Sequence, residues 1–406
     1  MIAGIRDAAH AVEAATVMRL LPNRPRLLAL GEPTHGEDRL LDVRNALFRQ
    51  LVEQEGYRTI AIESDCMAGL LVDDYVTSGV GDLDEVMARG FSHQWGAFPG
   101  NRELVRWMRA YNDGRPASAQ LRFAGFDGPL EITHAASPRH ALTALHAYLT
   151  TRADAELLPC AADTLDDLLG GDEQWTNPAA MTDPSASVGR TPEAARLRLI
   201  ADDLVTLLDA QLPQLVAAST PEEWDRARLY GRTATGLLRY HAAMADPSPS
   251  RMARLLALRD AMMAANLLAV AERGTALVNA HNSHLQRDRS TMRMGGQPVR
   301  WWSAGAIVST HLGREYAFLA TAVGTIRHQG VDTPPPDTVE GLLYALPQER
   351  HLVDAHRLAA TLATTTPPAR VSPWFGYAPL DPTHLADIDG IVFVRDARSE
   401  LREQPA

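Results

Sequence analysis

The stretch from Pro25 to Asp65, PRLLALGEPTHGEDRLLDVRNALFRQLVEQEGYRTIAIESD, decides the fold. Pro25 to Gly31, PRLLALG, carries a continuous apolar run of the kind shown by a strand buried on both faces. From about Glu37 to Glu55, Leu40, Leu41, Leu47, Phe48, Leu51 and Val52 recur at helical spacing, and Gly56 supplies the stop. Arg58 to Ser64, RTIAIES, is a second buried strand. Strand, helix and strand joined by tight connections make a βαβ unit, which implies a parallel sheet with right-handed crossovers.

Outward from this unit, a first helix is expected at about residues 5–20 and a third strand at Leu121 to Asp127, LRFAGFD. From about Ser137 to Arg273 the strand signal gives way to Ala/Leu-rich amphipathic segments, with a polar loop near Gly170 to Pro192. Thr275 to Ala280, TALVNA, is a fourth strand, and strands at Val299 to Thr310, Glu315 to Val323 and Ile391 to Val394 complete the sheet. The expected architecture is α/β: a mostly parallel central sheet flanked by helices. Residues 1–136 and 274–406 form its two parts, and residues 137–273 form a large helical insertion that makes one wall of a cleft.

Composition narrows the function. The 406 residues are 46% hydrophobic and 22% charged, an ordinary globular mixture. A net charge of -11 argues against a phosphate-backbone binder, so no nucleic-acid partner is expected. Cys66 and Cys160 are too few for a disulfide framework and form no C-x-x-C pair. The N-terminal residues carry charges where a signal's apolar core would lie, and no run approaches the ~20 apolar residues of a spanning helix. The expectation is a cytoplasmic protein without a membrane partner.

Ligands of open parallel sheets bind at the carboxyl ends of the strands. The first strand is followed by Glu32-Pro33-Thr34-His35-Gly36, the second ends in Glu63-Ser64-Asp65, the third ends in Asp127, and the fourth is followed by His281 and His284. If these strands are neighbours, acids and imidazoles converge on one edge. Thr34 and Glu37 have the T-x-x-E spacing of a capping box, which makes His35 the first residue of the helix. Helix-dipole charge there disfavours imidazolium, leaving a neutral His35 able to accept a proton near pH 7. Glu32 or Glu63 holds its tautomer. Without a G-x-S-x-G elbow there is no support for a serine nucleophile. The simplest chemistry is water activated by His35, with His284, His281 or Arg44 stabilising the oxyanion. Trp95 is a wall candidate, and Arg259 and Asp260 read as an ordinary surface pair on a helix. The histidines and acids offer donors for a divalent ion, but the i, i+3 spacing of His281 and His284 departs from a zinc-binding H-E-x-x-H helix.

The run LLALGEPTHGEDRLLDVRNALFRQLVEQEGYRTIAIESD resembles the erythromycin esterase family, whose hallmark is GE-x-THG, a following arginine and an A-x-E strand end. WGAFPGNRELVRWMRAYN from Trp95 to Asn112, FAGFD, the RD-x-x-M-x-x-N helix at Arg259 to Asn266 and NAHNSH agree in order. The resemblance implies a metal-independent, cofactor-free hydrolase that opens macrolide lactones in a deep cleft. It implies His35 as general base and places Glu32, Arg44, Glu63 and the His281/His284 pair at matching family positions. With the strand-end reading, the candidate catalytic residues are His35, Glu32, Glu63 and His281, and the candidate substrate contacts are Arg44, His284, Trp95 and Asp127. The partner is then a small lactone or ester, in antibiotic resistance or natural-product biosynthesis. Two alternatives stay open: a biosynthetic enzyme using the same cleft for dehydration, cyclisation or acyl chemistry, and a metal- or haem-binding protein on the same fold.

Overall fold

The structure is a computed structural model that describes residues 8–294, 296–365 and 367–397. Its strands are β1 (Ala9–His10), β2 (Leu27–Glu32), β3 (Thr59–Asp65), β4 (Arg122–Asp127), β5 (Ala276–His281), β6 (Arg289–Met294), β7 (Gln297–Trp302), β8 (Tyr316–Thr325), β9 (Arg350–Asp354) and β10 (Gly390–Asp396). Eight of them form one sheet in the order β1-β9-β10-β8-β2-β5-β3-β4. Every neighbouring pair from β10 across to β4 is parallel, and β9 is antiparallel to both β10 and β1. The mostly parallel sheet flanked by helices is the architecture expected from the strand patterns.

Alternation along the buried strands explains the layers. Leu28, Leu30, Ile60 and Ile62 pack on one face with the helices Asp38–Glu55 (α1), Gly69–Ser78 (α2) and Pro99–Asn112 (α3). Leu27, Ala29, Ala61 and Val278 point to the other face. Side chains of a strand alternate between faces, so a run apolar at every position requires cover on both.

Between β4 and β5, residues 137–273 contain helices and loops but no strand. The longer helices are Arg139–Thr150 (α4), Pro192–Ala210 (α5), Pro221–Met244 (α6) and Arg251–Arg273 (α7). Leu142, Leu145, Leu197, Leu204 and Leu238 build a separate apolar cluster there. No helix among the described residues is long and apolar enough to cross a membrane.

Three sequence expectations change, and the structure supplies the strand order that the sequence pattern left open. β5 lies between β2 and β3, so the crossover through α1 passes over one strand position. The first helix spans Ala14–Leu20, with Ala9–His10 a strand; residues 5–7 lie outside the described residues. The strand expected at Val299 to Thr310 divides: β7 pairs with β6 in a separate hairpin, and Ala304–Leu312 (α8) is helical. Ser303 caps that helix by accepting the Ala306 N–H, and a short apolar run cannot by its period alone distinguish strand from helix. Finally, the capping box does not form. α1 begins at Asp38, and Gly36 stands at φ +79°, a left-handed conformation inside what would have been the first turn.

Candidate active site

The register of the sheet brings the strand ends together. Glu32 is paired with His281 across β2 and β5, and Asp65 with Asp127 across β3 and β4. Between Ile62 and Asp65 the β3–β4 register shifts, the signature of a bulge, and Glu63 lies in that irregular segment. Gly31 has its own reason. A Cβ there would stand 2.1 Å from the Asn282 side-chain oxygen. The Asn282 amide exchanges hydrogen bonds with the Thr321 backbone, donating to its carbonyl at 2.8 Å and accepting from its N–H at 3.2 Å. That bridge fixes the start of the His281-to-His284 segment.

Five side chains then alternate as carboxylate and imidazole. Glu32 Oε1 lies 2.8 Å from His35 Nδ1, and His35 Nε2 lies 3.9 Å from Glu63 Oε2. Glu63 Oε1 is 3.3 Å from His284 Nε2, and both oxygens of Asp260 are 3.0 Å from His284 Nδ1. Asp260 also accepts from the Trp301 indole at 2.9 Å and from the Ala304 N–H at 2.7 Å. His35 is the exposed member of the series, its side chain 33% exposed, with its ring centroid 4.6 Å from that of Trp95.

Charge follows from these contacts. Burial alone would depress His35, but Glu63 and Glu32 outweigh it and raise its pKa above the ordinary 6.5. Burial would raise the Glu63 carboxyl, yet His284, His35, Arg259 and the His281 N–H hold it well below the usual carboxylate range. Burial likewise opposes charge on His284, and Asp260 and Glu63 reverse that to raise it. The neutral His35 expected from the helix dipole is therefore corrected: no helix begins at His35, and two carboxylates favour its protonated form.

Other expected residues take different places. His281 is pulled down to about 3 by burial and by the neighbouring charge of His35, so its ring is neutral. Its Nε2 faces the Pro33 carbonyl at 3.2 Å, Nδ1 accepts from the Ser283 N–H at 3.2 Å, and its backbone N–H donates to Glu63 at 2.8 Å. Arg44 is fully enclosed and donates to Asn45 and Asn279, so it offers substrate no atom in this conformation. Asp127 is also enclosed, bound by Arg259. His284 is buried between two carboxylates, and Trp95 is a nearly buried wall. Of these four expected substrate contacts, only the Trp95 ring lies against His35, at 4.6 Å between ring centroids.

Sequence reasoning missed Arg259, Asp260 and His93. Arg259 donates to Asp127 at 2.7 Å and to Glu63 at 3.0 Å, while its Nη1 has no hydrogen-bond partner among the described residues. The surface-pair reading was testable in the sequence itself: three and four residues to either side of Arg259 and Asp260 stand only Leu, Ala and Met. His93 has φ 55°, and its Nδ1 meets Glu131 at 2.8 Å while its Nε2 lies 3.7 Å from Asp127. No sequence signal marks that left-handed backbone at a non-glycine residue.

Beside His281 and Ser283 opens a cleft of about 350 Å³ that also meets Phe318, Arg370, Leu380 and His384. Such a volume suits an organic small molecule. Among the described residues, no group of three or more His, Cys, Asp or Glu is arranged to hold a metal ion.

The family model described as erythromycin esterase matches residues 52–396, beginning after the GEPTHG segment. The fold is similar to that of a Bacillus cereus protein, with TM-score 0.73 and 16% identity over 97% of this chain and 96% of that one. A succinoglycan biosynthesis protein gives TM-score 0.71 and 15% identity, with 97% and 96% covered. An erythromycin esterase, EreC, in the open conformation of a histidine-to-asparagine mutant, gives 0.66 and 17%, with 95% and 93% covered. At these identities the solved structures establish the fold, whereas the family match spans most of the sequence: the chain belongs to the erythromycin esterase family.

Proposed function

We propose that this protein is a carboxylic ester hydrolase that opens a lactone, of macrolide type, with water activated by His35. Family membership supports esterase activity in general. The observation that carries the mechanism is the placement of His35, exposed on one side and held by Glu32 at 2.8 Å on the other. With Nδ1–H donated to Glu32, Nε2 is the accepting nitrogen, and a water beside it can be deprotonated as it attacks the ester carbonyl. Glu63 is too firmly stabilised as a carboxylate to act as the base. Its negative charge instead stabilises the imidazolium that forms on His35, which then protonates the leaving alkoxide. The free Nη1 of Arg259 is the donor suited to the developing oxyanion. His281 acts by holding Glu63 rather than by carrying a proton.

Mass spectrometry of the purified protein incubated with macrolides and simpler lactones tests the reading. The expected product is heavier than its substrate by one water. A product without that gain would favour the biosynthetic alternative, and no reaction with any cyclic or linear ester would overturn the esterase assignment.

A further inference from the structure

A second, small cavity, of about 60 Å³, lies along the outer edge of the sheet, where β4 meets α2, α6 and α7. Five arginines line it: Arg122, Arg226, Arg228, Arg232 and Arg273. Four have carboxylate partners. Arg122 pairs with Asp73 at 2.6 Å, Arg226 with Asp74, Arg228 with Glu272 at 2.6 Å, and Arg273 with Asp225 at 3.7 Å.

Arg232 differs. Its Nε donates to the neutral Asn266 side chain at 3.2 Å. Among the described residues no carboxylate lies within 4.0 Å of it, and neither Nη nitrogen has a hydrogen-bond partner. Burial and the like charge of Arg228, with Arg273 beyond, pull its guanidinium down to about 10. Arg232 is only partly buried, and its two Nη nitrogens are open to a group entering the cavity. The unused fork has the geometry that matches a tetrahedral oxyanion through two parallel N–H bonds.

We propose that this cavity binds a tetrahedral oxyanion, the phosphate of a phosphorylated small molecule or free inorganic phosphate, gripped by Arg232 with Arg228 and Arg273 adding charge. The site is separate from the His35 cluster and requires nothing of the esterase reading.

Isothermal titration of the full chain with inorganic phosphate, against chloride at matched ionic strength, tests it. Saturable binding to phosphate alone is expected, with His35→Asn binding as the wild type does. Arg232→Gln should weaken it by about tenfold or more, the value of a charge-assisted pair. Arg228→Gln, whose partner Glu272 is exposed, should weaken it in the same direction and carries the test if the first variant does not fold. Phosphate indistinguishable from chloride would overturn the proposal, as would unaltered binding in both arginine variants. Loss of binding in His35→Asn would overturn it too, by moving the anion to the histidine cluster. If phosphate binds, competition by a phosphate monoester separates the two sources of the group.

Discussion

Both oxygens of Asp260 lie 3.0 Å from Nδ1 of His284, and the same carboxylate accepts from the Trp301 indole and the Ala304 backbone. One buried acid on α7 thus ties the β5 end, the β6–β7 hairpin and the start of α8 to a single imidazole. Against the burial that opposes charge on His284, the negative charge of Asp260 and that of Glu63 raise the imidazole's pKa.

Asp260→Asn removes that charge while keeping the shape. His284 should then lose its proton more readily, Glu63 should lose a partner, and the variant should be less stable by about 3 kcal/mol, the scale of a broken buried pair. Activity should fall by more than tenfold at neutral pH. Denaturant unfolding and kcat/KM measured together check it; unchanged stability would show that Asp260 does not support the site.

The pH dependence follows from His35. Only its neutral form accepts a proton, and Glu63 and Glu32 raise its pKa. The acid limb of kcat/KM should therefore have its midpoint above 6.5. Glu32→Gln removes one source of that raising, so its midpoint should move to lower pH while the maximal rate drops about tenfold. A midpoint that ignores Glu32→Gln would assign the limb to another group.

Arg259→Lys retains a positive charge but not the planar fork. Lysine cannot serve Asp127, Glu63 and an oxyanion together. A loss of about 10²-fold in kcat, with KM changed much less, is the expected result. A change confined to KM would instead make Arg259 a ground-state binding residue.

These residues also show how far the sequence was legible. Glu32, Glu63, Asp127 and His281 could be placed because buried parallel strands have an unmistakable pattern and deliver their last residues to one edge. The pattern does not give strand order, so β5 between β2 and β3 emerged only from the fold. The T-x-x-E spacing at Thr34 misled because Gly36 takes a left-handed backbone, and Glu37 instead meets His328 Nε2 at 3.1 Å. Arg44 was favoured by its position on α1, but a helix residue two and a half turns on can face the core as readily as the cleft, and this one does. Arg259 and Asp260 belong to the site through packing of α7 over the strand ends, a tertiary relation without local spacing.

Acid should destabilise the fold through buried neutral histidines. Burial lowers His241 to about 4, although its Nε2 donates to the Ala136 carbonyl at 2.8 Å, and His281 lies at about 3. A folded-state pKa below the unfolded 6.5 means that the unfolded chain binds more protons as pH falls, so stability is lost between pH 6.5 and about 4. His35 and His284, with raised values, act oppositely: their contribution is complete below 6.5 and is lost as pH rises through their folded pKa. His241→Gln keeps an N–H donor but does not titrate, and should remove about 3 kcal/mol of the acid slope in urea titrations at stepped pH. An unaltered slope would assign acid unfolding to the carboxylates.

The most direct measurement is kcat/KM for His35→Asn against the wild type on the best lactone substrate, with the variant's fold verified by its unfolding midpoint. Loss of the positioned base should cost about 10²- to 10⁴-fold while the protein remains folded. Turnover close to that of the wild type would contradict the assignment of water activation to His35.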